Sequence, residues 1–277
     1  MSEYVQFDVK QFSSGEYQVK VINRIRDNAI IHWNWFDKNQ RDLMLLLTKI
    51  GAIKKQYGQI PITIDAPYLP YARQDRVFEA GQDIAIETLT KAICGRHDDI
   101  KIEAMAVHCS NIKVTNQKHL LLSSTPYIKY VFPDMSAKNK FRCNRGGTYM
   151  EAEFNCINFI KVRDYLGEVT SSIEQGSIKS TCPADVFLIC DDICAGGRKF
   201  IECAKALRQE YGDGITIELM VYHAFLDHGL EGLKASGISK IYIINPDSYE
   251  YVCNLYVCNL YPNDLNYFEY KEMGMSK

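Results

Sequence analysis

Hydrophobic and polar residues follow two different spacings along the chain, and the two spacings alternate. Short apolar runs bounded by polar or turn-forming residues are typical of buried strands. They occur at 18–22, 29–35, 60–65, 102–107, 127–132, 155–160, 186–190, 215–222 and 240–244. Apolar residues at helical spacing occupy the segments 41–57, 82–94, 197–210 and 226–235. This alternation predicts an α/β fold whose sheets are mainly parallel.

The alternating pattern runs through the chain twice. A seam of low periodicity lies near residues 133–150, so we predict two similar domains, 1–135 and 136–277. Each domain is expected to contain a mainly parallel sheet flanked by helices. Two polar segments, 136–147 and 166–179, show neither period and are predicted to be loops.

The charge of the chain excludes two broad classes of partner. Its 277 residues include 32 Lys and Arg against 34 Asp and Glu, a formal net charge of −2. A dedicated binder of nucleic acid or anionic membrane needs a basic surface, so both classes are excluded, whereas a local basic pocket for a small polyanion is not. The 10 cysteines include no C-x-x-C pair, and the chain start lacks a secretory signal pattern. We therefore expect a cytoplasmic protein with reduced thiols.

The strongest local motif spans residues 186–200, where a buried strand is followed by two carboxylates, a Gly-Gly turn and a helix start. Ligands of open α/β sheets bind beyond the carboxyl ends of the strands. Asp191 and Asp192 offer acceptors for two neighbouring hydroxyls, or ligands for Mg²⁺. Gly196 and Gly197 let backbone N–H groups approach an anion at the helix start. The motif suits a phosphorylated sugar with a free diol, although an ordinary acidic turn with a glycine break would also explain it.

A second motif, residues 66–76, combines two prolines and two tyrosines with the polar run 73–76. Arginine suits phosphate through bidentate donation, and glutamine can contact the edge of a base. A solvated charged loop is the simpler alternative. The chain contains neither G-x-x-x-x-G-K-[ST] nor G-x-G-x-x-G, so a bound nucleotide would use neither a P-loop nor a Rossmann fingerprint.

Several segments, in order along the chain, resemble signatures of the ribose-phosphate pyrophosphokinase family, the phosphoribosyl pyrophosphate synthetases. Residues 68–76, Tyr-Leu-Pro-Tyr-Ala-Arg-Gln-Asp-Arg, look like the ATP loop of the family, and this match is the most specific. Residues 191–197 look like its pentose-phosphate loop, which type I phosphoribosyltransferases share. The other matches are Phe12 to Glu16, Val107 with His108, Pro133 with Asp134, and Ile160 to Arg163.

The resemblance implies a reaction and its participants. Members of this family are diphosphotransferases, which move the β,γ-diphosphoryl group of Mg²⁺-ATP to the anomeric hydroxyl of a 5-phosphorylated ribose and release AMP. ATP would be a co-substrate and Mg²⁺ the cofactor, and neither nucleic acid nor membrane would be a partner. The implied fold is type I phosphoribosyltransferase-like, in a homo-oligomer built from dimers, with a hexamer as a larger form.

The same resemblance assigns roles to residues of this chain. The catalytic residues it implies are Lys161, Arg163 and His108. The metal ligands it implies are His108 and Asp134. The ATP-binding residues are Phe12, Ser14, Glu16, Arg73, Gln74 and Asp75, of which the first three would come from a neighbouring subunit. The sugar-phosphate-binding residues are Asp191, Asp192, Ala195, Gly196, Gly197, Arg198 and Lys199.

Departures from the family pattern leave the acceptor open. Ala106 stands where the family has an acidic residue near His108. The sugar-phosphate loop is shorter and lacks the third Asp, and Ala195 and Arg198 replace threonines. An added Arg would suit a 5-phosphate that bears a further group, as in ADP-ribose. The acceptor is therefore ribose 5-phosphate, giving phosphoribosyl pyrophosphate, or ADP-ribose, giving an ADP-ribose pyrophosphate for NAD rebuilding.

Two other functional classes stay open at this point. One is a non-catalytic regulatory homologue of the synthetase-associated type, and the other is a phosphoribosyltransferase that shares the sugar loop alone. Release of AMP from ATP would separate the pyrophosphokinase from both.

Overall fold

The structure of the protein is a computed structural model that describes residues 2–35, 37, 42–77, 79–95, 98–105, 116–118, 121–122, 128–138, 142–143, 156–163, 169–173, 186–225 and 230–244. The chain divides into two compact units, Met1–Lys118 and His119–Lys277. The predicted limit after residue 135 differs from this division, because the strand Ile128–Phe132 pairs within the sheet of the second unit.

The first unit is built on a five-stranded sheet with an added hairpin. Its strands are β1 (Ser2–Tyr4), β2 (Phe7–Gln11), β3 (Tyr17–Val21), β4 (Asn28–His32), β5 (Ile62–Ala66), β6 (Ile100–Met105) and β7 (Asn116–Lys118). The sheet has the order β1-β4-β5-β6-β7, and all its neighbouring pairs are parallel. Strands β2 and β3 form a separate antiparallel hairpin. The central strand β5 is buried along its whole length, as a parallel strand covered on both faces should be.

Two helices of the first unit contribute apolar stripes to its core. Helix α1 (Leu43–Tyr57) begins after Asp42, whose carboxylate accepts a hydrogen bond from the Met44 N–H at 2.7 Å. Helix α2 is Ala85–Cys94. The core residues of the two helices recur at helical spacing: Leu46, Ile50, Ile53, Ile86, Leu89 and Ile93.

The second unit is built on a six-stranded sheet of order β12-β11-β9-β13-β14-β15. The described strands of the whole unit are β8 (Leu121–Leu122), β9 (Ile128–Phe132), β10 (Arg142–Cys143), β11 (Cys156–Arg163), β12 (Val169–Ile173), β13 (Val186–Cys194), β14 (Thr216–Ala224) and β15 (Ile238–Ile243). The edge strand β12 is antiparallel to β11, and the other pairs of this sheet are parallel. Strands β8 and β10 form a short parallel ribbon.

Three helices accompany this sheet: α3 (Met135–Lys138), α4 (Arg198–Tyr211) and α5 (Leu230–Ala235). Helix α4 buries one apolar face in the core of the unit through Phe200, Cys203, Ala204 and Leu207. Mainly parallel sheets flanked by helices confirm the predicted α/β fold class. None of the helices in the described ranges is both long and apolar enough to span a membrane.

Some predictions about individual segments are wrong. Strand β4 ends at His32 and not at residue 35, because its pairing with β5 ends where His32 faces Asp65. Strand β13 continues beyond residue 190 to Cys194, with its two aspartates buried inside the sheet. The predicted loop 166–179 contains β12, an edge strand that pairs through its backbone with one neighbour.

The predicted loop 136–147 contains β10 and most of α3. Helix α3 forms there because Asp134 caps it: Asp134 Oδ1 accepts a hydrogen bond from the Ala137 N–H at 2.8 Å.

Candidate active site

The carboxyl edge of the second unit's sheet brings three of the predicted site residues together. Asp134 follows β9, and Asp191 lies near the end of the neighbouring parallel strand β13. Lys199, in the first turn of α4, reaches both carboxylates. Its Nζ donates to Asp134 Oδ2 at 3.3 Å and forms an ion pair with Asp191 Oδ2. In the sequence, Asp134 belongs to one motif and Asp191 and Lys199 to another. The parallel pairing of β9 with β13 brings the three residues together.

Burial and charge shift the ionisation of this cluster. The Asp191 side chain is 2% exposed, and this burial raises the pKa of Asp191 to about 7, although the ammonium of Lys199 acts in the opposite direction. Burial alone would lower the pKa of Lys199, but the carboxylates of Asp191 and Asp134 outweigh it and raise that pKa. The cluster is thus held by charges that are only weakly screened by water.

Asp192 is also buried, and its backbone N–H donates to Asp191 Oδ1 at 2.8 Å. The two aspartates are successive residues of β13, and successive side chains of a strand point to opposite faces. Their thiol neighbours Cys190 and Cys194 are buried too. Burial raises the pKa of Cys194 to about 12 and that of Cys190 well above its ordinary value, so both act as small apolar side chains.

The loop between β13 and α4 is shaped by a glycine that no other residue replaces without strain. Gly197 has φ +75°, in the left-handed region, and a Cβ there would lie 3.0 Å from Leu233 Cγ. Gly196, by contrast, has open space around it. The turn leaves Arg198 exposed as the first residue of α4. A helix start with an exposed Arg is chemically suited to an anion such as phosphate.

The predicted ATP loop of the first unit begins at the end of β5 and is anchored by its apolar residues. Leu69 and Ala72 are each 2% exposed and belong to the core of the unit. Tyr71 has φ +63°, and its carbonyl accepts a hydrogen bond from the Gln74 N–H at 2.8 Å. Its ring contacts Trp35 edge-on, with centroids 6.0 Å apart.

The polar end of this loop remains at the surface. Arg73 and Gln74 are exposed, as residues that receive a ligand should be. Asp75 is instead held by its neighbour, since Arg76 Nε donates to Asp75 Oδ1 at 3.1 Å. The buried residues Leu69 and Ala72 thus anchor the loop, and the guanidinium of Arg73 and the amide of Gln74 are accessible to a ligand.

Phe12, Ser14 and Glu16 lie at the tip of the β2–β3 hairpin. The Phe12 N–H donates to the Glu16 carbonyl at 2.9 Å, and the Ser14 hydroxyl donates to Glu16 Oε2 at 2.8 Å. Phe12 is 43% exposed, with the ammonium of Lys10 5.4 Å from its ring centroid. The tip is thus a closed turn that displays an aromatic ring and a carboxylate to solvent.

Three predicted residues are incompletely described. His108 lies outside the described residues. The backbones of Lys161 and Arg163 belong to β11, where they face Ser171 and Val169 of β12, but their side chains also lie outside the described part.

The described residues do not assemble a resident metal centre. Within the ranges given above, no group of three or more His, Cys, Asp or Glu side chains is arranged to hold a metal ion. Asp134 and Asp191, which have the oxygen chemistry that Mg²⁺ prefers, share the Lys199 ammonium. The observed cluster therefore does not fit a magnesium ion of its own.

A polar cluster in the first unit was not anticipated from the sequence. Tyr4 Oη donates to Asp65 Oδ2 at 3.0 Å, and His32 Nδ1 lies 3.3 Å from the same oxygen. Burial, together with the charge of Asp65, raises the pKa of Tyr4. Asp65 is in β5, immediately before the predicted ATP loop, so the cluster fixes the strand end from which the loop departs. In the sequence, this cluster is signalled by Asp65, an aspartate at the end of the apolar segment 60–65.

Comparisons with known proteins agree with this architecture. Residues 2–95 match the family model described as the N-terminal domain of ribose phosphate pyrophosphokinase. The ribose-phosphate pyrophosphokinase of Sulfurisphaera tokodaii is 27% identical over 253 residues, covering 85% of this chain and 82% of that protein. The crystal structure of phosphoribosylpyrophosphate synthetase from Mycobacterium smegmatis superposes with a TM-score of 0.60 at 17% identity, covering 92% of this chain and 86% of that one.

A further relative is closer in sequence. The ribose-phosphate pyrophosphokinase of Saccharolobus solfataricus is 33% identical over 256 residues, which cover 86% of this chain and 83% of the relative. The similarity thus spans both units and includes the segments that carry the ATP-loop and sugar-loop motifs. The chain belongs to the ribose-phosphate pyrophosphokinase family, a family of diphosphotransferases.

Proposed function

We propose that the protein transfers the β,γ-diphosphoryl group of Mg²⁺-ATP to the anomeric hydroxyl of a 5-phosphorylated ribose and releases AMP. The observation that carries the proposal is the cluster of Asp134, Asp191 and Lys199 beside the glycine turn that starts α4. It combines buried acceptors for sugar hydroxyls with an anion-binding helix start, at the edge of the sheet where α/β folds bind ligands.

The transfer is a substitution at the β-phosphorus. The anomeric oxygen forms a bond to this phosphorus and loses its proton, while the bond from the β-phosphorus to the α,β-bridging oxygen breaks and AMP leaves with the electron pair. Negative charge accumulates on the transferred group, so cationic side chains that meet it lower the barrier. We assign this part to Lys161, Arg163 and His108.

In this proposal, the ATP loop and the hairpin tip each bind part of the nucleotide. The exposed Arg73 would donate to phosphate oxygens and Gln74 to the base. Phe12, Ser14 and Glu16 would seat the adenine of a neighbouring subunit. Mg²⁺ is expected to enter bound to the ATP phosphates, and the chemistry it supplies there is neutralisation of their charge.

The acceptor is one of two sugars with the same reacting group. The names of the curated relatives favour ribose 5-phosphate, giving phosphoribosyl pyrophosphate. The exposed Arg198, at the first position of α4, favours a second phosphate on the 5-position, as in ADP-ribose for NAD rebuilding. A cytoplasmic location remains the expectation from the thiol-rich sequence.

An AMP-release assay with both acceptors tests the proposal. Purified protein with Mg²⁺-ATP should form AMP when ribose 5-phosphate or ADP-ribose is present, and phosphorus NMR should show a new diphosphate ester at the anomeric carbon. Absence of AMP with either sugar would contradict the proposal and leave a regulatory homologue or a phosphoribosyltransferase. The variant Arg198→Thr is a matched probe of acceptor choice: it should reduce turnover of ADP-ribose relative to ribose 5-phosphate if Arg198 contacts the second phosphate.

The hairpin tip yields a prediction about ATP binding and about the oligomeric state. Replacing Phe12 with Ala is expected to raise the KM for ATP by about tenfold, because stacking of a base on an aromatic ring contributes roughly 1–3 kcal/mol. Ile22→Ala is the matched control, since Ile22 is an exposed apolar residue beyond the hairpin strands, and its KM should stay at the wild-type value. Light scattering should show at least a dimer; a monomer with full turnover would overturn the shared adenine pocket.

A further inference from the structure

We propose that Lys199 is a built-in counter-ion of the acceptor site: its ammonium takes the position between Asp134 and Asp191 that a divalent cation would otherwise occupy. The acceptor site would then need no metal ion of its own. The metal requirement of the reaction would be limited to the ion that travels with the nucleotide.

The hydrogen bonds of the two carboxylates support this assignment. Asp134 Oδ1 accepts from the Ala137 N–H, and Asp191 Oδ1 accepts from the Asp192 N–H, both at 2.8 Å. Each carboxylate is thus oriented by a backbone donor on one oxygen. The other oxygen of each, Oδ2, meets Lys199 Nζ. The lysine therefore bridges the pair of oxygens that a chelated cation would use.

The location of Lys199 is unfavourable without these carboxylates. It is the second residue of α4, where the positive end of the helix dipole repels a cation. Its side chain is only 29% exposed, and its Nζ lies 5.7 Å from the centroid of the Phe200 ring. A lysine that served only to solvate the surface would extend into water, so the geometry points to a specific role as partner of the two aspartates.

The local charge balance leads to the same conclusion. Among the described residues, Lys199 is the cation that contacts both Asp134 and Asp191, whereas Arg198 is exposed at the start of α4. One of these two negative charges is therefore balanced before any ligand binds. A divalent ion added to Asp134, Asp191 and Lys199 would leave an excess of positive charge in a largely buried cluster, whereas a neutral sugar hydroxyl would not.

The role of Lys199 in binding the sugar is the one step that rests on the proposed function. By holding both Oδ2 atoms in place, the ammonium pre-organises them as acceptors for the sugar hydroxyls. Lys199 is thus a positioning residue for the acceptor. The counter-ion role itself can be tested without any substrate, so its failure is distinguishable from failure of the proposed reaction.

The experiment is a titration of the full chain with Mn²⁺, without nucleotide or sugar, in which electron paramagnetic resonance reports the free ion. The wild-type isotherm should be the same as that of Asp134→Asn. Lys199→Ala and Lys199→Gln should each bind one Mn²⁺ per chain more than the wild-type protein at the same concentration of free ion. Adding Asp134→Asn to Lys199→Ala should abolish the additional site.

Two controls separate the counter-ion role from a general change in charge. Lys205→Ala removes an exposed lysine of the same helix and should bind no additional Mn²⁺. Lys199→Arg keeps the cation and should behave as the wild type. The inference is overturned if wild-type protein binds a Mn²⁺ that Asp134→Asn removes, or if the folded Lys199 variants gain no site. The first comparison does not involve the Lys199 variants, so it decides even if those variants fail to fold.

Discussion

Replacing Lys161 with Ala is expected to lower the rate of AMP formation by at least about 100-fold, while the protein stays folded. The reason is the charge that develops on the transferred diphosphoryl group, which a fixed cation stabilises more in the transition state than in the ground state. The register of β11 supports this role for Lys161. Asn158 faces Phe132, the last residue of the parallel strand β9, and Lys161 lies further along in the same direction, toward the edge of the sheet where Asp134 follows β9.

Steady-state AMP formation and thermal unfolding should be measured on the same Lys161→Ala samples. Lys101→Ala is the matched control, because Lys101 is an exposed lysine in a strand of the first unit. The control should keep the wild-type rate. A Lys161→Ala rate within about threefold of wild type would remove this residue from the catalytic set, since losing one transition-state donor ordinarily costs far more.

Replacing Gly197 with Ala is expected to destabilise the unit that contains α4 by about 2–5 kcal/mol. About 1–2 kcal/mol comes from placing a side chain in the left-handed region, at φ +75°. A further contribution of roughly 1–3 kcal/mol comes from overpacking, because the new Cβ would lie 3.0 Å from Leu233 Cγ. The start of α4, and with it Lys199, would shift as the structure relaxes.

Gly196→Ala is a closely matched control for this substitution. Gly196 is the adjacent residue, its φ is outside the left-handed region, and a Cβ there meets nothing within 4 Å. Urea unfolding followed by circular dichroism should show a lower midpoint for Gly197→Ala and almost no change for Gly196→Ala. Equal midpoints for the two variants would show that neither the backbone conformation nor Leu233 constrains the turn.

The alternation of strands and helices was readable because apolar spacing alone determines which face of an element is buried. Strand β13 shows a case in which the hydropathy pattern fails to predict the end of an element. Its last four residues include Asp191 and Asp192, and charged residues were interpreted as the end of the strand. Burial of Asp191 is possible because Lys199 provides a partner, and a hydropathy pattern contains no information about partners.

The same reason explains which part of the candidate site was predictable. Residues close in sequence, such as those of the sugar-phosphate loop, were found as one motif. The link from Asp134 to Lys199 spans 65 residues and depends on the parallel register of β9 with β13. Strand β12 was missed for a related reason: Val169–Ile173 is short and polar, and its backbone pairing with β11 leaves no period in the sequence.

The aromatic contacts beside the ATP loop give the protein a spectroscopic property. The chain has two tryptophans, Trp33 and Trp35, with ring centroids 6.0 Å apart, and Trp35 also contacts Tyr71 of the loop. Tryptophan fluorescence is therefore a label-free reporter of the environment of the ATP loop. Because circular dichroism reports on both units, comparing the two signals during denaturation would reveal whether the two halves of the protein unfold together or one at a time.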